Sequence, residues 1–174
     1  TTAVQSAYSE QWDDRSIVPI EKHDNRFYME LFHGPTLAFK DIALQMLPQL
    51  MTRAVQIEKI AKDIIILTAT SGDTGTASMR GFANQKGTDV IVFYPEGGVS
   101  PVQLKQMLSQ RGNNLRAIAI KGNFDDAQTE VKKIFNDDSF KNRLNANGYQ
   151  FSSANSMNIG LLVPQISYYL YTYG

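Results

Sequence analysis

The chain has 174 residues, 43% hydrophobic and 20% charged, which is ordinary globular material rather than disordered or membrane-embedded sequence. Seventeen basic residues balance seventeen acidic ones, so no excess charge points to nucleic acid or to an anionic surface. The lack of cysteine excludes disulfides and Cys-ligated zinc or iron–sulfur sites, and fits a reducing compartment.

Thr1 to Arg26 is a mixed opening in which Ala3 to Trp12 suits a short helix and Arg15 to Glu21 a loop running into a strand. Phe27-Tyr28-Met29-Glu30-Leu31-Phe32 is aromatic and aliphatic, as a strand requires. It runs into His33-Gly34-Pro35-Thr36, a turn in which Gly gives backbone freedom and Pro fixes φ. From Leu37 the apolar residues Leu37, Phe39, Ile42, Ala43, Leu44, Met46 and Leu47 are nearly continuous, predicting a helix buried on most faces. Pro48 falls inside this pattern, so the helix is expected to bend or break there and to resume from Leu50 to Glu58.

Four short apolar runs follow: Ile64 to Ala69, Val90 to Tyr94, Leu115 to Ile120 and Tyr149 to Ser153. Each is bounded by turn or polar residues, as fully buried strands are. Helical stretches lie between them at Thr74 to Lys86, Pro101 to Gln110 and Phe124 to Asn136, the last with Asn123 as N-cap, and Phe140 to Asn145 adds a short turn of helix. This alternation predicts right-handed βαβ crossovers. The expected fold class is α/β: a three-layer αβα sandwich with a mostly parallel, doubly wound, Rossmann-like sheet of about four main strands. No repeat, low-complexity tract or linker divides residues 1–174, so a single domain is expected. Met157 to Tyr173 is an apolar and aromatic helix that needs a surface to pack on. Either it lies across the sheet, or the chain was cut inside a larger protein. No stretch approaches the roughly 20 apolar residues of a membrane span, and no basic-then-apolar leader opens the chain. A cytoplasmic setting is expected.

Lys40 sits in the middle of an apolar run, where it must snorkel its ammonium to water or shed its proton. A desolvated lysine can form Schiff bases with carbonyl compounds, pyridoxal phosphate among them. Spacing alone leaves both readings open. Thr68-Ala69-Thr70-Ser71-Gly72-Asp73-Thr74-Gly75-Thr76-Ala77 follows a strand and opens a helix. Such a turn presents free N–H groups and the positive end of the helix dipole, ready for a carboxylate or phosphate, at the strand end where open α/β sheets place ligands. A plain helix start capped by Ser71 or Asp73 explains the same residues. No Gly-Lys-Ser/Thr follows, so it is not a Walker A loop. Gly122-Asn123-Phe124-Asp125-Asp126 reads as a turn and an acidic first helical turn. Asn155, Ser156 and Asn158 follow the last strand and either line a crevice or make a turn. His33 shows no partner in the sequence and reads as structural.

Phe32 to Gln45 resembles the lysine motif of threonine synthase: HGPT, one variable residue, then AFKD, a short apolar run and Gln. The match covers His33, Gly34, Pro35, Thr36, Ala38, Phe39, Lys40, Asp41, Ala43, Leu44 and Gln45. In that family the lysine carries pyridoxal 5'-phosphate as a Schiff base, which makes Lys40 the implied catalytic and cofactor-binding residue. The family also carries a TSGDTG-type segment after the lysine. In the wider group of fold-type II pyridoxal-phosphate enzymes this loop holds the substrate carboxylate, so Ser71, Gly72, Asp73 and Thr74 are implied as substrate-binding. Asp73 is also implied near the 3-oxygen of the cofactor. Three further segments are similar to the family: Tyr94-Pro95 through Gln103, Gly122 to Gln128, and Ser153 to Asn158, the last adding Asn155 as a cofactor-binding residue.

The resemblance implies conversion of O-phosphohomoserine and water to threonine and phosphate, the last step of threonine biosynthesis, with no metal. A small-molecule substrate is the implied partner, with neither nucleic acid nor membrane. Two positions depart from the pattern: Leu161 where the family usually reads Arg, and Gly98 where a basic residue is frequent. The Gly-rich loop for the cofactor phosphate is expected beyond Gly174. The chain is therefore expected to be a fragment, inactive alone and self-associating through its C-terminal apolar helix. Another fold-type II enzyme, a dehydratase or sulfhydrylase, is the nearest rival, though His33-Gly34-Pro35-Thr36 and Asp73 argue against it. The rival from another class is an inactive, fold-retaining interaction module.

Overall fold

Polar residues interrupt the first pair of strands, and they stay outside the main sheet. In the computed structural model, which describes residues 2–155 and 158–174, a short helix α1 (Thr2–Ala7) precedes an antiparallel ribbon of β1 (Ile20–His23) and β2 (Arg26–Met29). Asp24 turns the ribbon at φ +54, a left-handed conformation that Asp tolerates. The helix α1 is shorter than the stretch to Trp12 suggested. The strand expected to run to Phe32 ends at Met29 and pairs locally.

The four apolar runs form one parallel sheet, as expected: β3 (Asp63–Ala69), β4 (Thr88–Pro95), β5 (Leu115–Ile120) and β6 (Tyr149–Ser153), in the order β5-β4-β3-β6. Its register pairs Ile66 with Val90 on one side of β3 and with Ser152 on the other. The connections are α3 (Asp73–Phe82), α4 (Pro101–Leu108) and the pair α5 (Phe124–Asn136) and α6 (Asp138–Ala146). The first two crossovers step towards β5, while α5 and α6 carry the chain back past β4 and β3 to β6. With right-handed crossovers, that reversal puts the two groups of helices on opposite faces. The core gathers Trp12, Ile42, Leu44, Leu47, Ile66, Phe82, Val90, Val92 and Met107.

Helix α2 (Asp41–Ile57) differs twice from its sequence pattern. It begins four residues after Leu37, for reasons set by Asp41 and given below. It also runs unbroken through Pro48. Proline has no N–H for the Leu44 carbonyl, and there α3 makes its closest approach: a Cβ on Gly81 would collide with the Leu44 oxygen. One turn on, the Thr52 hydroxyl bonds back to the Pro48 carbonyl (2.9 Å). The last helix, α7 (Ile159–Tyr173), packs chiefly against α2, burying Leu161 and Tyr168. Tyr169, Leu170 and Tyr173 remain 77%, 71% and 96% exposed. Its expected first residue, Met157, lies outside the described residues. No helix among the described residues is long and apolar enough to cross a membrane.

Candidate active site

The loop from Gly34 to Lys40 winds around the first carboxylate of α2. Asp41 is fully buried. Its Oδ1 accepts the Thr36 hydroxyl (2.7 Å), and its Oδ2 accepts the N–H of Thr36 (2.8 Å) and, at 3.5 Å, that of Ala38. These bonds compete with helix and hold residues 36–40 as a turn, with Leu37 left-handed at φ +59. The turn passes so close that a Cβ on Gly34 would stand 2.5 Å from Asp41 Oδ2, so glycine is required by space. Burial pushes the Asp41 carboxyl up from its ordinary value, opposed by the bonds from Thr36 and Ala38 and by the charge of Arg80.

Two tyrosines pin the backbone on either side of Lys40. Tyr168 of α7 donates its hydroxyl to the Phe39 carbonyl (2.5 Å), and Tyr8 donates to the Ile42 carbonyl (2.7 Å). Burial pushes the Tyr8 hydroxyl up to about 12 and raises that of Tyr168 as well, with the charges of Asp41 and Tyr8 adding to the latter. Both therefore remain donors at neutral pH. Lys40 is the N-cap residue of α2 and is half-buried, with Nζ 4.8 Å from the centroid of the Phe39 ring. Its amine meets no carboxylate among the described residues.

At the end of β3 a different residue from those expected organises the turn. The buried Thr70 hydroxyl accepts the N–H groups of Gly72 and Gly75, each at 2.9 Å. Neither Ser71 nor Asp73 caps α3. Gly72 is the N-cap residue, at φ +149, where an added Cβ would also strike the Gln103 side chain. The N–H groups of Asp73 and Thr74, first in the helix, have no acceptor within it and carry the positive end of its dipole. Ser71 and Asp73 are exposed and Thr74 is half-buried. The Asp73 carboxylate is turned towards α4, accepting from Gln103 Nε2 at 2.5 Å. Ser100 caps α4 through the Gln103 N–H (3.3 Å) and donates its hydroxyl to Gln103 Oε1 (3.0 Å). Thr70 and Gln103 went unnoticed as site residues in the sequence. For Gln103 the signal was present: Ser100-Pro101-Val102-Gln103 has the capping Ser, the first-turn Pro and the third-position Gln of a helix start.

The turns after β3, β4 and β6 lie at one end of the sheet because those strands are adjacent and parallel. Helix α2 runs beside α3, with Gly81 against the Leu44 carbonyl and Gln85, just ahead of β4, donating to Thr52 of α2 (2.5 Å). Asn155 is half-buried in the turn after β6. Asn158 makes the turn: its Oδ1 accepts the Gly160 N–H (2.9 Å) and its Nδ2 donates to the Ser153 carbonyl (2.8 Å). Ser156 lies outside the described residues. Asn123 and Asp126 exchange side-chain bonds as a capping box, as the turn reading of that segment expects. Leu161 is buried where α7 packs on α2. A side chain at Gly98 would meet the Pro95 ring at 2.7 Å, so a basic residue there requires the 95–98 turn to shift. Among the described residues no three His, Cys, Asp or Glu side chains gather as metal ligands would.

A four-strand parallel sheet flanked by helices, with a Gly-rich turn at the carboxyl end of β3, is the architecture of the fold-type II pyridoxal-phosphate family. Within it the chain belongs with the threonine synthases, to which it is homologous along nearly all of its length. It is 38% identical over 177 aligned residues to human "Threonine synthase-like 1", covering 98% of this chain and 23% of that protein. It is 40% identical to threonine synthase of Pseudomonas aeruginosa, over 90% of this chain and 32% of the relative. The crystal structure of pyridoxal-phosphate-bound threonine synthase from Brucella melitensis matches with a TM-score of 0.85 at 39% identity, over 99% of this chain and 36% of that one. The yeast enzyme matches with a TM-score of 0.83 at 32% identity, over 99% of this chain and 34% of that one. The chain thus spans between about a quarter and a third of the length of these relatives. No protein-family profile matches it.

Proposed function

We propose that residues 1–174, as a single domain, supply the lysine and the substrate-carboxylate turn of a threonine synthase, converting O-phosphohomoserine and water to threonine and phosphate in the cytoplasm. The reading rests above all on the way Asp41, Tyr8 and Tyr168 fix the backbone around a half-buried lysine inside the family motif. The donors suit the cofactor: a primary amine for the carbonyl of pyridoxal phosphate, and outward N–H groups and hydroxyls for a carboxylate. When bound, pyridoxal phosphate supplies the electron sink of the reaction. Lys40 Nζ would hold the group through its carbonyl carbon and, as a free amine, would take and return protons at substrate carbons. The Ser71 hydroxyl and the N–H groups of Asp73 and Thr74 line the carboxylate position, with Gly72, whose own N–H is held by Thr70, shaping the turn between them. Gln103 draws the Asp73 charge towards α4, which lessens its repulsion of a bound carboxylate. Asn155, in the turn after β6, would contribute to holding the cofactor. On this reading the chain alone makes no threonine, and the exposed face of α7 pairs with a second copy.

Incubation with pyridoxal phosphate, reduction with borohydride and peptide mass mapping test the assignment. The pyridoxyl label should concentrate on Lys40 and vanish from that peptide in Lys40→Ala. Labelling spread evenly over the exposed lysines would overturn it.

A further inference from the structure

His33 opens the loop that leads to Lys40, and a carboxylate faces each of its ring nitrogens. Nδ1 lies 2.6 Å from Asp13 Oδ1 and Nε2 lies 2.7 Å from Glu30 Oε2. A neutral imidazole has one N–H and one lone pair. In either tautomer, a lone pair would then meet a carboxylate oxygen at hydrogen-bonding distance, which is repulsive. The imidazolium has two N–H groups and satisfies both oxygens with charge-assisted bonds. The residue is tied in further ways: its carbonyl accepts the Asp13 N–H at 3.1 Å, and its ring stacks on Phe32 with centroids 4.6 Å apart. Glu30 is anchored in turn through its N–H to the Pro19 carbonyl (3.0 Å). Three separate stretches of chain meet at this ring: the 9–18 segment, the exit of β2, and the loop carrying the lysine.

We infer that Asp13, His33 and Glu30 form a protonation-dependent clamp in which His33, as the imidazolium, is a positioning residue for the Lys40 loop. The clamp acts through Gly34, the next residue, which sits directly over Asp41 with no room for lateral adjustment. Displacing His33 pulls on Gly34 and hence on the turn that delivers Lys40. Glu30 and Asp13 are the charged groups that face the ring among the described residues. Glu30 is the stronger partner, being 29% exposed where Asp13 is 67% exposed and better screened by water. The bond to Glu30 raises the His33 pKa above its ordinary value, desolvation opposes it, and the bond to Asp13 adds to the rise. A raised histidine pKa fixes the sign: the clamp contributes fully below the unfolded pKa of about 6.5 and is lost as pH rises through the folded value.

The inference does not depend on pyridoxal phosphate and is tested without it. In the 174-residue chain, NMR titration of the imidazoles should put the His33 midpoint above about 6.5, and Glu30→Gln should lower it more than Asp13→Asn does. Amide exchange at Thr36 and Leu37, corrected for intrinsic rates, should quicken at least several-fold as pH crosses that midpoint. His33→Gln should abolish the step, which a histidine serving packing alone would not produce. A wild-type midpoint at or below about 6.5, or loop protection with no step across it, would overturn the clamp. The wild-type titration decides the matter even if a variant fails to fold.

Discussion

Asp41 and its three donors make the lysine loop sensitive to a carboxylate that is not itself expected to react. Asp41→Ala strands the Thr36 N–H and hydroxyl in the interior, which should cost about 3 kcal/mol in urea denaturation, by the usual penalty for unpaired buried groups. Asp41→Asn keeps an oxygen for the Thr36 N–H and discards a buried charge, so it should cost far less. The two also differ in pH dependence. Because the Asp41 pKa is raised, the folded chain binds its proton before the unfolded chain does. Wild-type stability should therefore gain on that of Asp41→Asn as pH falls from neutral through the raised value, levelling off below the ordinary carboxylate range. Parallel curves for the two proteins would contradict that assignment. Tyr168→Phe removes one bond to the Phe39 carbonyl and should cost about 1 kcal/mol, visible as a lower melting temperature and as faster amide exchange at Asp41.

Close approach, rather than propensity, sets the tolerance of the helices. Gly81→Ala would drive a methyl group into the Leu44 carbonyl and prise α3 from α2, with an expected loss of about 3 kcal/mol or more. Asn123→Ala breaks a capping box at the solvent-facing start of α5 and should cost about 1 kcal/mol; thermal unfolding of the two variants separates the cases. These elements also show what the sequence makes legible. The inner strands β3 and β4 could be read because parallel strands covered on both faces become continuous apolar runs, whereas the edge strands fall short of the full burial expected, β5 leaving Arg116, Ile118 and Ala119 exposed and β6 leaving Tyr149 exposed. The N-cap at Asn123 could be read because a cap needs only its next three residues. The true start of α2 could not: Leu37 and Phe39 look helical, and only the buried Asp41, reaching back to Thr36 and Ala38, turns them aside. Pro48 misleads for a similar reason, since its cost depends on what Gly81 lets approach. The β1–β2 ribbon shows no alternation, because both strands are largely exposed. The Ser71 to Thr74 turn was legible as a segment, but its organisation by Thr70 and the Asp73–Gln103 bond was not. That bond joins residues 30 apart, which only the β4 crossover brings together.

At the scale of the whole molecule, most of the apolar face of α7 has no partner among the described residues. Leu170→Glu should change folding stability by no more than about 0.5 kcal/mol, since that side chain is 71% exposed. It should nevertheless reduce concentration-dependent association in sedimentation experiments; equal association in the two proteins would exclude this face as the contact. The strand order has a further consequence, in time rather than space. The central strand β3 has β4 on one side and β6 on the other, and β6 leaves the ribosome roughly 80 residues after β3 is complete. At about 5–20 residues per second, one edge of the most apolar strand waits some 4–16 s with its backbone unpaired. Nascent chains arrested before Tyr149 should therefore bind chaperones and one another, and those arrested well past Ser153 should have closed the gap themselves.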